Sequence, residues 1–299
     1  MAPSVQAIIN SKAGSAGPDD WQQNIERLIT SAFAGARVLF PEEGSDVTAI
    51  AREAVRNGAE LVIAGGGDGT INAVAAGLVG TDAMLGVLPL GTLNHFAKDL
   101  GMPLEPEAAI EAIRTGSARS VDVGQVNETI FINNSGLGLY PTIVHLRENK
   151  QEAGASKWPA ALSATIRSLA QYRVLTIRIE VDGKQLVRRT PIVFVGNNEY
   201  KLEGVRLPTR ATLDDGQLCL YIPHPTGRAR LLWFSLRALL GDPRKDQNFD
   251  AILTRQFRID SRHSRLAVSI DGEVRAMKTP LDYRILAGAL RVMSPTPTT

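Results

Sequence analysis

The most constraining stretch of this 299-residue chain is the apolar run Leu61-Val62-Ile63-Ala64, which ends directly on Gly65-Gly66-Gly67-Asp68-Gly69-Thr70 and leads into a helical pattern from Ile71. An apolar run without polar alternation reads as a strand buried on both faces, the habit of parallel sheets. Parallel strands need crossovers, so the neighbouring segments must supply helices. Val5 to Ile9 reads as a first strand, and Pro18-Asp19-Asp20 opens a helix with Trp21, Ile25, Leu28 and Ile29 on one face. Ala36 to Phe40 is the next strand, and Asp46 or Thr48 caps a helix that runs through Ala54 and Val55 and stops at Asn57-Gly58. A strand over Met84 to Leu88 and a short helix ending near Leu100-Gly101 continue the alternation to Val121. The fold class predicted is α/β, with a Rossmann-like, doubly wound domain over residues 1–122.

Beyond Val121 the runs shorten and turn residues multiply. Thr176 to Val181 followed by Asp182-Gly183 is a hairpin signal, so residues 123–284 read as a mostly antiparallel β-sandwich domain. Two helical stretches interrupt it, Pro159 to Gln171 and Thr226 to Leu240. The tail Ser294 to Thr299 has nothing apolar to bury and is expected to be disordered. A composition of 44% hydrophobic and 21% charged residues supports cores for two domains. The net charge of +2, without long blocks of like charge, argues against nucleic acid as a partner. Neither a leader nor a membrane span is expected, since no basic segment precedes an apolar core and no run reaches about eighteen apolar residues. Cys219 is the single cysteine, which precludes an internal disulfide and suits a reducing cytoplasm, and the four histidines are too scattered for zinc.

Glycines between a strand and a helix let the backbone approach a ligand closely, and the N–H groups at the helix start favour phosphate. The P-loop needs Gly-Lys-Ser/Thr, absent here, and the dinucleotide fingerprint needs a small residue where Thr70 stands. Asp68 would repel a bare phosphate, so a cation or a hydrogen-bond donor must stand between them, Mg²⁺ being the economical choice. The competing structural reading is a glycine-rich turn in which Asp68 and Thr70 merely cap the next helix.

The loop at residues 65–70 resembles the glycine signature of the diacylglycerol and sphingosine kinase superfamily, shared more loosely with NAD kinases and phosphofructokinases. Pro89-Leu90-Gly91-Thr92-Leu93-Asn94-His95-Phe96-Ala97 is similar to the lipid-kinase segment Pro-x-Gly-Thr-x-Asn-Asp-Phe-Ala. Ile9 to Gly14, Val121 to Gly124, Phe131 to Asn134, Leu213 to Leu218 and Asp271-Gly272-Glu273 extend the resemblance along nearly the whole chain.

The resemblance implies an ATP-dependent lipid kinase with a nucleotide cleft between its two domains, the segment 285–295 returning to the first. Carried over by position, Asn10, Lys12 and Gly14 line the nucleotide, Gly65, Gly66, Gly67, Asp68, Gly69, Thr70 and Asn72 hold its phosphates, and Thr92 and Asn94 complete the site. Asp68 organises catalytic Mg²⁺ or its water shell, Asp215 binds a structural Mg²⁺ with the carbonyls of Thr212 and Gln217, and Glu273 is the proton acceptor. His95 replaces the usual aspartate at the acceptor end, and Ser11 and Leu93 replace a common proline and glycine. The implied partner is a lipid at a membrane surface, met by transient peripheral contact at the inner face of the membrane from the cytoplasm; a homodimer is left open. Lys157-Trp158 and Arg230-Leu231-Leu232-Trp233 are candidate membrane contacts, against the alternative that they pack into the sandwich. Two other readings stay open: an NAD or nucleoside kinase of the same superfamily, and a catalytically silent lipid- or nucleotide-binding protein.

Overall fold

The computed structural model describes residues 4–11, 20–138, 174–201, 209–210, 212–223 and 249–296. The chain divides into two compact units: residues 1–123 with 286–299, and residues 124–285. Both stretches expected to be helical in the second half, with their membrane-contact candidates, lie outside the described residues, as do Lys12 and Gly14.

The first unit alternates strand and helix: β1 (Val5–Ile9), α1 (Trp21–Ala32), β2 (Arg37–Leu39), α2 (Val47–Arg56), β3 (Leu61–Gly66), α3 (Asp68–Leu78), β4 (Met84–Pro89), α4 (His95–Asp99), α5 (Pro106–Thr115) and β5 (Ser117–Val126), whose last three residues belong to the second unit. β1 pairs in parallel with β2 on one side and β3 on the other, and β3 with β4. All six residues of β3 are buried, as its unbroken apolar character requires. In α1, Ile25 and Ile29 are buried one turn apart. Asp46 caps α2 by accepting the Ala49 N–H at 3.0 Å. Thr48 is not the cap: its hydroxyl donates to the Ala73 carbonyl at 2.9 Å and ties α2 to α3.

Two expectations are corrected. α3 begins at Asp68, not Ile71, because extended Gly67 serves as N-cap and places Asp68 in the first turn, where an acidic residue suits the helix dipole. Ser294 is not in a disordered tail: it ends β18 (Leu281–Ser294), whose Arg291 and Val292 pair in parallel with Met84 and Leu85 of β4. The Gly288 N–H of β18 donates to buried Asp122 at 2.8 Å.

The second unit is built from β6 (Thr129–Phe131), β7 (Asn134–Gly138), β8 (Leu175–Val181), β9 (Lys184–Thr190), β10 (Ile192–Asn197), β11 (Tyr200–Lys201), β12 (Thr209–Arg210), β13 (Leu218–Pro223), β14 (Phe249–Thr254), β15 (Gln256–Ser261), β16 (Arg265–Ile270), β17 (Glu273–Lys278) and the start of β18. One antiparallel sheet has the order β14-β13-β10-β7-β16-β17. In the other, β15 pairs with the start of β18 and with β8, and β8 with β9. The β8–β9 turn has Asp182 and Gly183 both at positive φ (48° and 73°), the conformation that an Asp-Gly pair tolerates in a two-residue hairpin. Ile177, Ile179, Phe257, Ile259 and Tyr283 of one sheet share a core with Val193, Val195, Leu220 and Val268 of the other, which makes this unit a β-sandwich.

Tyr283 anchors that core. Its ring stacks on Phe257 at 4.7 Å, and its hydroxyl bonds Ser135 at 3.0 Å. Burial raises its pKa, an effect that the Ser135 bond only partly offsets. The phenol is therefore neutral in the fold, so its stabilisation is complete below the unfolded value of about 10 and is lost as pH rises above it. Tyr283→Phe keeps the stack but leaves Ser135 without its partner, and a loss of about 1–3 kcal/mol is expected in urea unfolding at neutral pH. Ser135→Ala in the same chain should recover part of that loss.

Candidate functional site

Strand connectivity locates the first site. From β1 the chain moves outward to β2, crosses back to β3 on the other side of β1, and then moves on to β4. The loops after β1 and β3 therefore leave in opposite directions, opening a crevice at the carboxyl ends of the two strands, where doubly wound sheets bind ligands. The Asn10 N–H donates to the Gly65 carbonyl at 2.8 Å, and the Asn10 side chain donates to the Thr70 hydroxyl at 3.1 Å. A cavity of about 200 Å³ opens here, lined by Asn10, Ser11 and Thr70 and by the loop Pro41 to Ser45. No sequence motif marks that last loop. Its one legible signal was position, after the strand next to β1.

The glycine loop is in contact with the loop after β4. A Cβ on Gly91 would lie 2.4 Å from the Gly67 Cα and 3.1 Å from the Gly67 nitrogen, so the two backbones cross where neither carries a side chain. Asp68 fastens the crossing: its carboxylate accepts the His95 N–H on one oxygen and the Phe96 N–H on the other, each at 3.2 Å. Asp68 thus caps α4 rather than its own helix, and backbone donors occupy the oxygens that the sequence reading offered to a cation. Asn94, at φ 50°, is 5% exposed, and its amide accepts the Gly91 N–H and donates to the Gly91 carbonyl, so it shapes its own turn. Thr92 and Leu93 are exposed beside it. Thr70 is half-buried under Asn10, and Asn72 Oδ1 is buried with no partner among the described residues, an acceptor that a bound donor or water would satisfy.

In the second unit, three of the singled-out segments, at residues 131–134, 213–218 and 271–273, meet the end of β10 at one end of the six-stranded sheet. The Asn197 amide donates to the Ile132 carbonyl at 2.9 Å and its N–H to that of Asn133 at 3.0 Å, while the Asn198 N–H donates to the Gln217 carbonyl at 3.0 Å. Asp271 accepts the backbone N–H groups of residues 132 to 134. Buried Arg210 donates to the Ile132 carbonyl and the Asn133 side chain, a network that sequence reading missed because its members are far apart along the chain. Glu273 is the first residue of β17, half-exposed, and paired with Arg275 at 2.9 Å.

The donor set of the Asp214–Gln217 loop fits a hard cation. Asp214, Asp215 and Thr212 are exposed, and the Gln217 carbonyl borders Asn198, whose wholly buried amide has no partner among the described residues. No group of three or more His, Cys, Asp or Glu side chains gathers among the described residues. At Asp68 the fit is to a hydrated cation, since each oxygen already carries one N–H.

Comparison with known proteins gives consistent matches. The family model described as diacylglycerol kinase catalytic domain matches residues 4–126, and that described as YegS C-terminal NAD kinase beta sandwich-like domain matches residues 145–294. A diacylglycerol kinase of Bacillus subtilis (strain 168) is 33% identical over 78% of this chain and 77% of its own. A protein of Enterobacter sp. (strain 638) named "Probable lipid kinase YegS-like" is 31% identical over 91% and 89%. A crystal structure of a diacylglycerol kinase from Bacillus anthracis str. Sterne shares the fold with a TM-score of 0.72 at 22% identity, covering 98% of this chain and 97% of that one.

The backbone crossing yields a paired test. Gly91→Ala places a methyl against backbone and should cost about 1–3 kcal/mol in urea unfolding of the first unit. Gly67→Ala meets only an ordinary contact at 3.5 Å from the Gly91 Cα and should unfold nearly as the parent does.

Proposed function

The chain belongs to the diacylglycerol kinase family, a family of phosphotransferases, and from that premise we propose that it transfers the γ-phosphoryl group of ATP to the hydroxyl of a lipid, diacylglycerol or a close relative. The observation that carries the reading is the Asp68 contact, which holds two glycine-containing loops together at the switch point of a parallel sheet. Phosphoryl transfer asks little covalent chemistry of a protein and much positioning, and two braced loops with bare backbone suit that demand.

Gly65 to Thr70 hold the phosphates through N–H groups at the start of α3, where the helix dipole favours an anion. Asn10 keeps Thr70 in place, and Asn72 offers its unpartnered oxygen. Asp68 spends its charge on the N–H groups of α4, which removes the repulsion that a bare carboxylate would exert on phosphate. Mg²⁺, when bound with the nucleotide, would supply charge neutralisation on the transferring group, with Asp68 as the residue that would orient its water shell; Asp215 with the Thr212 and Gln217 carbonyls would hold a second, structural ion. Glu273 accepts the proton of the lipid hydroxyl as that oxygen bonds to the γ-phosphorus and the bond to the bridging oxygen breaks, releasing ADP. Its pairing with Arg275 is exposed and worth about 0–1 kcal/mol, so it yields readily to an incoming hydroxyl. The lipid is met by peripheral contact, in keeping with the absence among described residues of a helix long and apolar enough to span a membrane.

The direct test presents γ-labelled ATP with diacylglycerol, ceramide, a sphingoid base, a glycerophospholipid and NAD. Label is expected in a lipid; label in NAD instead would establish the nucleotide-kinase alternative, and none anywhere the silent one. His95→Asp should reorder the lipid acceptors while the KM for ATP stays nearly constant, and a change in ATP affinity alone would put His95 on the nucleotide side. Glu273→Gln should lower kcat by about 10² to 10⁴ and abolish the acid limb of the pH profile. An unchanged acid limb would assign the proton to another residue.

A further inference from the structure

Glu273 is held weakly by its own side-chain contacts. Among the described residues its one ion pair is with Arg275, at 55% exposure of both side chains, and pairs so exposed rarely fix a geometry. The turn before it is held far more firmly. Asp271 and Gly272 join β16 to β17 with both residues at positive φ (46° and 96°). The Asp271 carboxylate accepts the N–H of Asn133 at 2.8 Å and of Asn134 at 2.9 Å on one oxygen, and that of Ile132 at 2.8 Å on the other. Its own N–H donates to the Asn134 carbonyl at 2.9 Å.

Three successive N–H groups converging on one anion form a nest, and here the chain fills the nest with its own carboxylate. The segment that forms it is itself immobilised. The Asn133 carbonyl accepts the Tyr200 hydroxyl at 3.0 Å, and the Ile132 carbonyl accepts Arg210 at 2.6 Å. Asp271 therefore pins the start of β17 to a segment that is itself held by buried hydrogen bonds. Glu273 is two residues further on, opposite Ile270 in the antiparallel register.

We infer that Asp271 is the positioning residue of Glu273: it fixes the turn that aims the proton acceptor, and, with its oxygens committed to three backbone N–H groups, it is not the acceptor itself. This rests on the proposed role of Glu273. Asp271→Asn turns one oxygen into an NH₂ that opposes a backbone N–H, which loosens the nest without changing side-chain size.

The test is a double-mutant cycle on the full chain, read with diacylglycerol in mixed micelles. Asp271→Asn should lower kcat by roughly 10- to 100-fold, the order expected of a small misplacement, with the KM for ATP nearly unchanged and the acid limb retained. In the presence of Glu273→Gln the same substitution should be nearly silent, because the group that it positions is gone. Multiplicative losses in the double variant would overturn the inference while leaving Glu273 as base. An acid limb lost in Asp271→Asn but kept in Glu273→Gln would make Asp271 the base and overturn both, as would full turnover in Glu273→Gln. Should Asp271→Asn not fold, Asp271→Glu keeps the anion and carries the same cycle, with the same pattern of non-additivity expected.

Discussion

Two hydrogen bonds accepted by one carboxylate organise the proposed phosphate-binding end of the first unit. Asp68 reaches across 27 and 28 residues of sequence to the first N–H groups of α4, and everything between, including β4 and the Gly91-Asn94 turn, is held by that contact at one end and by strand pairing at the other. The bonds are charge-assisted, and their donors have no partner within their own helix, so the contact is worth more than an ordinary neutral pair. Its geometry also settles an electrostatic difficulty: an aspartate in a phosphate loop is tolerable when its charge is already directed at N–H dipoles. The bare backbone of Gly67 and Gly91 is the steric counterpart, since a side chain on Gly91 would force the two loops apart.

The second unit solves a related problem with buried polar groups. Arg210 is 8% exposed, and an arginine so enclosed must find acceptors. It takes the Ile132 carbonyl and the Asn133 side chain, and its guanidinium lies 5.9 Å from the centre of the Tyr200 ring. The Tyr221 hydroxyl in turn donates to the Tyr200 carbonyl at 3.0 Å. This layer lies against the six-stranded sheet opposite its apolar core, where Tyr200, Tyr221 and Cys219 cluster.

What could be read from the sequence was local. The apolar run and its glycines announced a strand, loop and helix because each signal falls within a dozen residues, and Asp46 and Asp182-Gly183 declared a cap and a tight turn by residue type alone. The start of α3 was placed late because Asp68 and Gly69 read as loop, although a first helical turn accepts both. Ser294 was assigned to a loose tail because its strand is completed by β4, some two hundred residues away, which no local pattern reveals. Of the candidate site, the glycine loop and Glu273 are proposed through family resemblance. The use of Asp68 as a cap for another helix, the inward turn of Asn94 and the burial of Arg210 were not legible, since each depends on a partner distant in sequence.

The central claim, that Asp68 braces two loops into one phosphate site, is tested most directly by following the amide exchange of His95 and Phe96 alongside ATP affinity in the parent and in Asp68→Asn. Protected amides are expected in the parent and, in the folded variant, loss of protection at both together with a fall in ATP affinity of about 10- to 100-fold, the equivalent of one charge-assisted hydrogen bond. Unprotected amides with undiminished ATP affinity would contradict that claim, for the brace would then be irrelevant to the site.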